Sequence, residues 1–219
     1  MKEKLVRNFK GYESFHRKMA ELNYQPISKI YLANTVNHIP KSKIRENSID
    51  IVITSPPYGD SHTTVAYGQY SKLSSEWLGI LKSNVDTASM GGKKSKPVSF
   101  GCDDLDRSLR EVEGINHVRS LEVYSFYSDL RSSINNVSKT IKSGGYACYV
   151  VANRKVAGVL LPTDKSIVCF FEKNGFKNIE TFTRGIPNKR MPSKNSPSNK
   201  VGKLDDTMTK EYIILMRKD

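Results

Sequence analysis

Seven residues, Ser48-Ile49-Asp50-Ile51-Val52-Ile53-Thr54, form a β-branched apolar run that stops at Ser55-Pro56-Pro57-Tyr58. A run of this length and composition reads as a buried strand. Two consecutive prolines cannot donate to a ladder, so the strand must end there. Downstream, Val123, Phe126, Tyr127, Leu130, Ile134, Val137 and Ile141 recur at helical spacing, which predicts an amphipathic helix over 121–142 ended by Gly144-Gly145. A second buried strand is expected over 146–152. A helix follows over 164–174, with Asp164 as its N-cap and Gly175 past its end. Residues 178–183 and 211–216 read as two more strands. Ile30-Tyr31-Leu32 is a short strand candidate, Trp77 sits in a short helix, and 90–97 is an exposed flexible loop.

The order strand, crossover helix, strand, helix, strand, strand argues for an α/β domain. Its sheet is expected to be mainly parallel, with helices on both faces and a C-terminal antiparallel edge pair. Residues 1–26 read as a basic helix or arm closed by Pro26, and 27–219 as one domain with an irregular insertion over 60–120. Trp77 and the aromatic residues of the 121–142 helix are expected in the core.

Lys and Arg number 35 against 22 Asp and Glu, a formal charge of +13. That excess favours a polyanionic partner, because neutralising phosphates releases counterions. No stretch approaches the roughly 18 apolar residues of a membrane helix, and the N-terminus lacks a secretory pattern, so a cytoplasmic protein is expected. Cys102, Cys148 and Cys169 have wide, irregular spacing that suggests neither a disulfide framework nor a zinc site. Cys148 and Cys169, in apolar surroundings, read as small buried side chains. His16, His38, His62 and His117 lack metal-ligand spacing, and no metal is expected.

Open α/β sheets bind ligands beyond the carboxyl ends of their strands, which is where Ser55-Pro56-Pro57-Tyr58 falls. The prolines fix two φ angles and leave carbonyl oxygens in set directions, and an aromatic ring follows at once. Acceptors beside a stacking surface suit a planar molecule that bears an NH₂ group. Such an amine is a poor nucleophile, since its lone pair is delocalised into the ring. Acceptors on both N–H groups favour the sp³-like geometry that frees the lone pair as charge develops.

Thr54-Ser55-Pro56-Pro57-Tyr58 after an apolar strand resembles motif IV of the DNA amino-methyltransferases, with serine in the place most typical of the enzymes that make N4-methylcytosine. Gly59-Asp60-Ser61, the segment Thr64 through Ser71, Glu76-Trp77-Leu78-Gly79 and Ile186-Pro187-Asn188-Lys189-Arg190-Met191-Pro192 are similar to the same group. The likeness runs over roughly residues 28–218. It implies a Rossmann-like sheet, S-adenosyl-L-methionine as cofactor and DNA as substrate. Ser55 and the Pro56 carbonyl would contact the amino group, Pro57 would hold the corner rigid, and Tyr58 would stack on the flipped base. His62 is a weaker candidate for the site lining. Target recognition would fall in residues 80–120.

Family members bind their cofactor on a Phe-x-Gly-x-Gly-like loop, and the 14 glycines here include no Gly-x-Gly. Asn34 also stands where such enzymes often carry an acidic residue. Two explanations follow: a second protein subunit carrying the loop and the first strands, which is preferred and leaves this chain as part of a split restriction-modification methyltransferase with an open sheet edge, or a truncated or decayed relative without activity. Phosphate contact is assigned to Arg184, Lys189, Arg190, Lys194, Lys200 and Lys203, and more weakly to Lys93, Lys94 and Lys96. The alternatives are an N6-adenine methyltransferase and a non-catalytic DNA-binding or specificity subunit that retains the fold.

Overall fold

A computed structural model describes residues 2–22, 27–59, 67–79, 85–185, 194–195, 205–206 and 210–219. The chain divides into two compact units, Met1–Leu32 and Ala33–Asp219. In the first, helix α1 spans Lys2–Glu21, as expected of the arm, with Glu3 in its first turn and Lys18 in its last, both favourable to the helix dipole. None of its residues is buried, and Leu5, Phe9 and Tyr12 form an exposed apolar stripe. The strand expected at Ile30-Tyr31-Leu32 does not form: residues 27–32 have no regular structure, and Ile30 and Leu32 are fully exposed. Three residues without a neighbouring ladder cannot satisfy their backbone as a strand.

The second unit is built on a four-stranded mixed sheet. Its strands are β1 (Ile49–Thr54), β2 (Ile141–Val151), β5 (Phe176–Gly185) and β8 (Lys210–Lys218), and their order across the sheet is β1-β2-β8-β5. Strand β1 pairs parallel with β2, and β8 lies antiparallel between β2 and β5. The expected antiparallel edge pair is therefore present, with β5 at the edge. Two hairpin pairs complete the strands: β3 (Arg154–Val156) with β4 (Val159–Leu161), and β6 (Lys194–Asn195) with β7 (Asp205–Asp206). The helices are α2 (Tyr67–Trp77), α3 (Val85–Ala88), α4 (Asp103–Ile115), α5 (His117–Thr140) and α6 (Thr163–Glu172).

Three local expectations need correction. Gly144-Gly145 does not cap α5, which ends at Thr140 and passes directly into β2. The two glycines form a bulge where Ile49 faces Ile141 but Ile51 already faces Tyr146. Gly144 takes φ +76°, and a Cβ on Gly145 would lie 2.8 Å from the Ile141 side chain and 2.9 Å from the Asp50 carbonyl. Asp164 is not the N-cap of α6; its amide instead donates to Asn153 Oδ1, 3.1 Å away. The 90–97 loop is pinned rather than free at its start, since buried Gly91 donates to Asp129 Oδ2 at 2.9 Å.

Helix α4 lies within the stretch read as irregular. Leu105, Leu109 and Val112 form its buried stripe, and Asp103, Asp104 and Asp106 occupy its first turn. It joins α5 (Phe126, Tyr127, Leu130, Ile134) and α6 (Ile167, Phe170, Phe171) against one face of the sheet, made by Ala147, Tyr149, Val151, Ile214 and Met216. Tyr149 meets Phe171 edge-on at 5.1 Å between ring centroids. Cys102 at the start of α4 and Cys169 of α6 form a disulfide, contrary to the reading of free buried thiols. The packing of α4 on α6 brings together side chains 67 residues apart. Cys148 remains free and half-buried.

The opposite face of the sheet is open among the described residues. Register places Ile51, Ile53, Tyr146, Cys148, Val150, Leu215, Ile213 and Phe182 on it. Ile53 is 70% exposed, and Ile51, Tyr146 and Phe182 are exposed as well. The α/β class holds, while the expected helix layers are present on one face. The β1 run, read as a buried strand, is half-buried at Ile49, Val52 and Thr54 and exposed at Asp50, Ile51 and Ile53. Trp77, expected in the core, is 90% exposed. No helix among the described residues is long and apolar enough to cross a membrane.

Asp106 is buried, and its carboxylate accepts from Ser99 Oγ at 2.6 Å and from the amides of Phe100 and Gly101 at 2.8 and 2.9 Å. Burial opposes its charge, but these donors outweigh it and hold the carboxyl below its ordinary value of 3.8. Asp106→Ala should cost about 1–3 kcal/mol at neutral pH, the usual loss for buried partners left unmade, seen as a lower Tm. A depressed folded-state pKa contributes fully above 3.8 and is lost as pH falls through the lower folded value. The Tm gap between variant and parent should therefore narrow on acidification through that window.

Candidate active site at the carboxyl rim of the sheet

Strands β1, β2 and β5 run in one direction and β8 in the other, so three carboxyl ends and the start of β8 share one rim. The diproline segment leaves β1 at this rim. Ser55 is exposed, whereas Pro56, Pro57 and Tyr58 are half-buried. Pro57 lines a cavity of about 640 Å³, together with Asn34, Thr35, Ser89, Lys93 and Asp129. The cavity's far wall is fastened to α5: Asn136 Nδ2 donates to the Thr35 carbonyl at 2.9 Å, and the hydroxyls of Thr35 and Ser133 are 2.7 Å apart. Asn34 folds its own turn by accepting from the Val36 amide at 3.0 Å.

Tyr58 joins the corner to the other side of the sheet. Its hydroxyl donates to Glu211 Oε1 at 3.0 Å and accepts from Ser55 Oγ at 3.3 Å. The second carboxylate oxygen of Glu211 accepts from Arg184 Nε at 3.2 Å and also from Nη2. Glu211 and Arg184 are cross-strand partners on β8 and β5, so sheet register places the acid opposite the base. The side chain of Glu211 is 14% exposed and that of Arg184 61%. The Arg184 hydrogen bond holds the Glu211 carboxyl below its ordinary range against the cost of burial. Burial pushes the Tyr58 phenol up; Glu211 adds to the rise, and the Ser55 hydrogen bond works against it.

The structure brings Ser55, Pro56, Pro57, Tyr58 and Arg184 together at one rim. Arg184, assigned from sequence to phosphate, is paired with Glu211 while its side chain stays 61% exposed. Lys189, Arg190, Lys200, Lys203 and His62 lie outside the described residues, and Lys194 lies in β6. Lys93, Lys94 and Lys96 are exposed. Glu211 went unrecognised in the sequence. Its signal was an acidic residue opening the apolar strand Glu211-Tyr212-Ile213-Ile214-Leu215, antiparallel to a strand that ends in Arg184.

No family model matches the chain. Among characterised proteins it is similar to the Type II methyltransferase M.MvaI of Kocuria varians, 40% identical over 230 residues. That likeness takes in 98% of this chain and 50% of the relative, so the chain spans about half the length of the protein it matches. Among solved structures it aligns with a protein of Thermus thermophilus assigned as a DNA modification methylase. There the identity is 16–19%, the coverage 84–88% of this chain and 48–54% of the other, and the TM-score 0.38–0.42. Superpositions that loose carry no argument about function.

A difference titration of the parent chain against Tyr58→Phe should isolate one phenol that ionises above the ordinary 10.0. A difference signal centred at or below that value would contradict the burial of the phenol and its hydrogen bond to Glu211. By sequence, the chain is similar to about half the length of the Type II methyltransferase M.MvaI.

Proposed function

We propose that this chain is the base-binding, catalytic half of an S-adenosyl-L-methionine-dependent DNA methyltransferase that acts on an exocyclic amino group, cytosine N4 in the first instance. The observation that carries the reading is the diproline corner itself. It stands at the carboxyl rim of the sheet with Ser55 exposed and Tyr58 half-buried beside it, next to a cavity walled by Pro57. A serine hydroxyl has one proton and two lone pairs. With its proton directed at Tyr58, Ser55 has lone pairs left for an N–H of the base, and the Pro56 carbonyl serves the other. The Tyr58 ring replaces the stacking lost when a base leaves the duplex. The charge of +13 and the likeness to a Type II methyltransferase support DNA as the partner.

The residues present do not fit the methyl donor. Among 14 glycines there is no Gly-x-Gly, and the described strands offer no glycine-rich turn between a strand and a helix. We assign the donor, which supplies the sulfonium methyl, to sequence outside this chain, which spans about half of the relative's length. We therefore place the cofactor loop on a partner polypeptide that covers the sheet face left open, and the β1 edge left unpaired, among the described residues. An apolar face with Ile51, Ile53 and Phe182 exposed is the kind of surface that marks an interaction site.

Tyr58→Ala should lower methylation by about 10- to 100-fold, the usual worth of a stacking ring, while DNA affinity and its salt dependence stay near the parent's. Nucleoside analysis of the modified DNA should yield N4-methylcytosine. N6-methyladenine would change the target and keep the amino-group reading, and undiminished methylation in Tyr58→Ala would sink it. Because Ile53 is largely exposed, Ile53→Glu should leave the Tm of the isolated chain unchanged. It should weaken binding to the remaining half of the Kocuria relative, expressed as a separate polypeptide, by at least about tenfold. Equal binding by parent and variant would remove this face from the interface.

A further inference from the structure

Tyr58, Glu211 and Arg184 form a hydrogen-bonded chain that ends at Ser55, and the chemistry of Glu211 fixes the direction of every bond from it to Ser55. An ionised carboxylate only accepts. Tyr58 has a single proton, and the 3.0 Å bond to Glu211 requires it. The 3.3 Å bond between Tyr58 and Ser55 then forms only with Ser55 as donor. The Ser55 proton is thereby turned towards Tyr58, and its lone pairs are what remain for any other group.

We infer that Glu211, aimed by Arg184, is a positioning residue for the amino-group site: through Tyr58 it fixes the polarity of two hydrogen bonds so that Ser55 meets an incoming amino group as an acceptor. The inference rests on the reading of Ser55 and Tyr58 as that site, and it adds two residues and a direction of protons to it. Arg184 supplies two N–H groups to one carboxylate oxygen, which leaves the other for Tyr58. Removing the negative charge undoes the logic. A glutamine at 211 can turn its NH₂ towards Tyr58, which then donates to Ser55 and leaves the Ser55 proton facing the amino group. Two donors would then meet head to head. The same pair also stands at the base of the 186–209 segment, since Arg184 precedes Gly185 at the end of β5 and Glu211 follows Lys210 at the start of β8.

The test uses the enzyme reconstituted from this chain and the cofactor-binding half, with single-turnover methylation and DNA affinity measured separately. Glu211→Gln should slow methylation by about 10- to 100-fold, as misplacement of reacting groups does, with DNA affinity unchanged. Tyr58→Phe keeps the ring and cuts the chain at its middle. The double variant Tyr58→Phe/Glu211→Gln should be no slower than the slower single variant, because both interrupt one relay. Arg184→Met, which keeps the carboxylate as an acceptor but loses its aim, should slow methylation less than Glu211→Gln, and Arg184→Lys should recover part of that loss by keeping the cation. In the isolated chain, Glu211→Gln should bring the Tyr58 phenol titration down towards its ordinary range.

Multiplicative losses in the double variant, or a Tyr58 titration that does not move, would overturn the inference. So would an Arg184→Met variant with normal rate, weaker DNA binding and a salt slope reduced by about one, since that is a phosphate contact. A Tyr58→Ala enzyme that methylates normally would remove the amino-group site, and this inference with it. Loss in Tyr58→Ala together with a normal rate in Glu211→Gln would overturn the inference alone.

Discussion

The missing N–H of proline sets the layout of this molecule. Strand β1 runs parallel to β2 until Thr54, and two residues later the chain has no donor left to continue the ladder. It must leave the sheet at the rim where β2 and β5 also end and β8 begins. Tyr58 is thereby delivered within hydrogen-bonding distance of Glu211, 153 residues on in the chain. Antiparallel register between β8 and β5 does the rest, because Glu211 can face only Arg184 when Phe182 faces Ile213. A corner that begins as a local backbone restriction becomes a site because a long-range pairing closes on it.

Burial is one-sided, and this explains how a sequence can be read correctly in outline and wrongly in detail. Ala147, Tyr149, Val151, Ile214 and Met216 are sealed by α4, α5 and α6, while the residues between them on β2 and β8 point to the open face. β1 is as apolar as a strand covered on both sides, yet Ile51 and Ile53 face outward. Sequences of this type belong to sheets with helices on both faces. The apolar excess on β1 is what the partner polypeptide proposed for this face would cover.

Long elements were legible because periodicity and punctuation agreed. The α5 stripe, the β2 run and the C-terminal strands all carried apolar patterns longer than one turn or pleat, and the structure moves their ends by a few residues at most locations. What escaped depended on contacts distant in sequence. Gly144-Gly145 looked like a helix terminator because nothing local reveals that Asp50 and Ile141 press against it. α4 was hidden by three acidic residues in its first turn, which lower apolar content where the helix dipole favours them. Cys102 and Cys169 gave no framework by spacing, since only the packing of α4 against α6 makes them neighbours. At the site the motif was legible in full and its supporting acid was not, because Glu211 acquires meaning only from the strand opposite.

The energetics of the Arg184–Glu211 pair also bear on why it is there. Arg184 is more than half exposed, and an ion pair with one partner in solvent adds little to stability after side-chain entropy and screening. Glu211 is mostly buried, so it is the partner that bears a desolvation cost, and the Arg184 fork together with the Tyr58 hydroxyl satisfies both its oxygens. A sheet built for stability alone would put an apolar residue at 211, as β8 does at Ile213, Ile214 and Leu215. Keeping a charged acceptor at that position, next to a tyrosine hydroxyl and one bond from an exposed serine, is a cost better explained by proton placement than by packing.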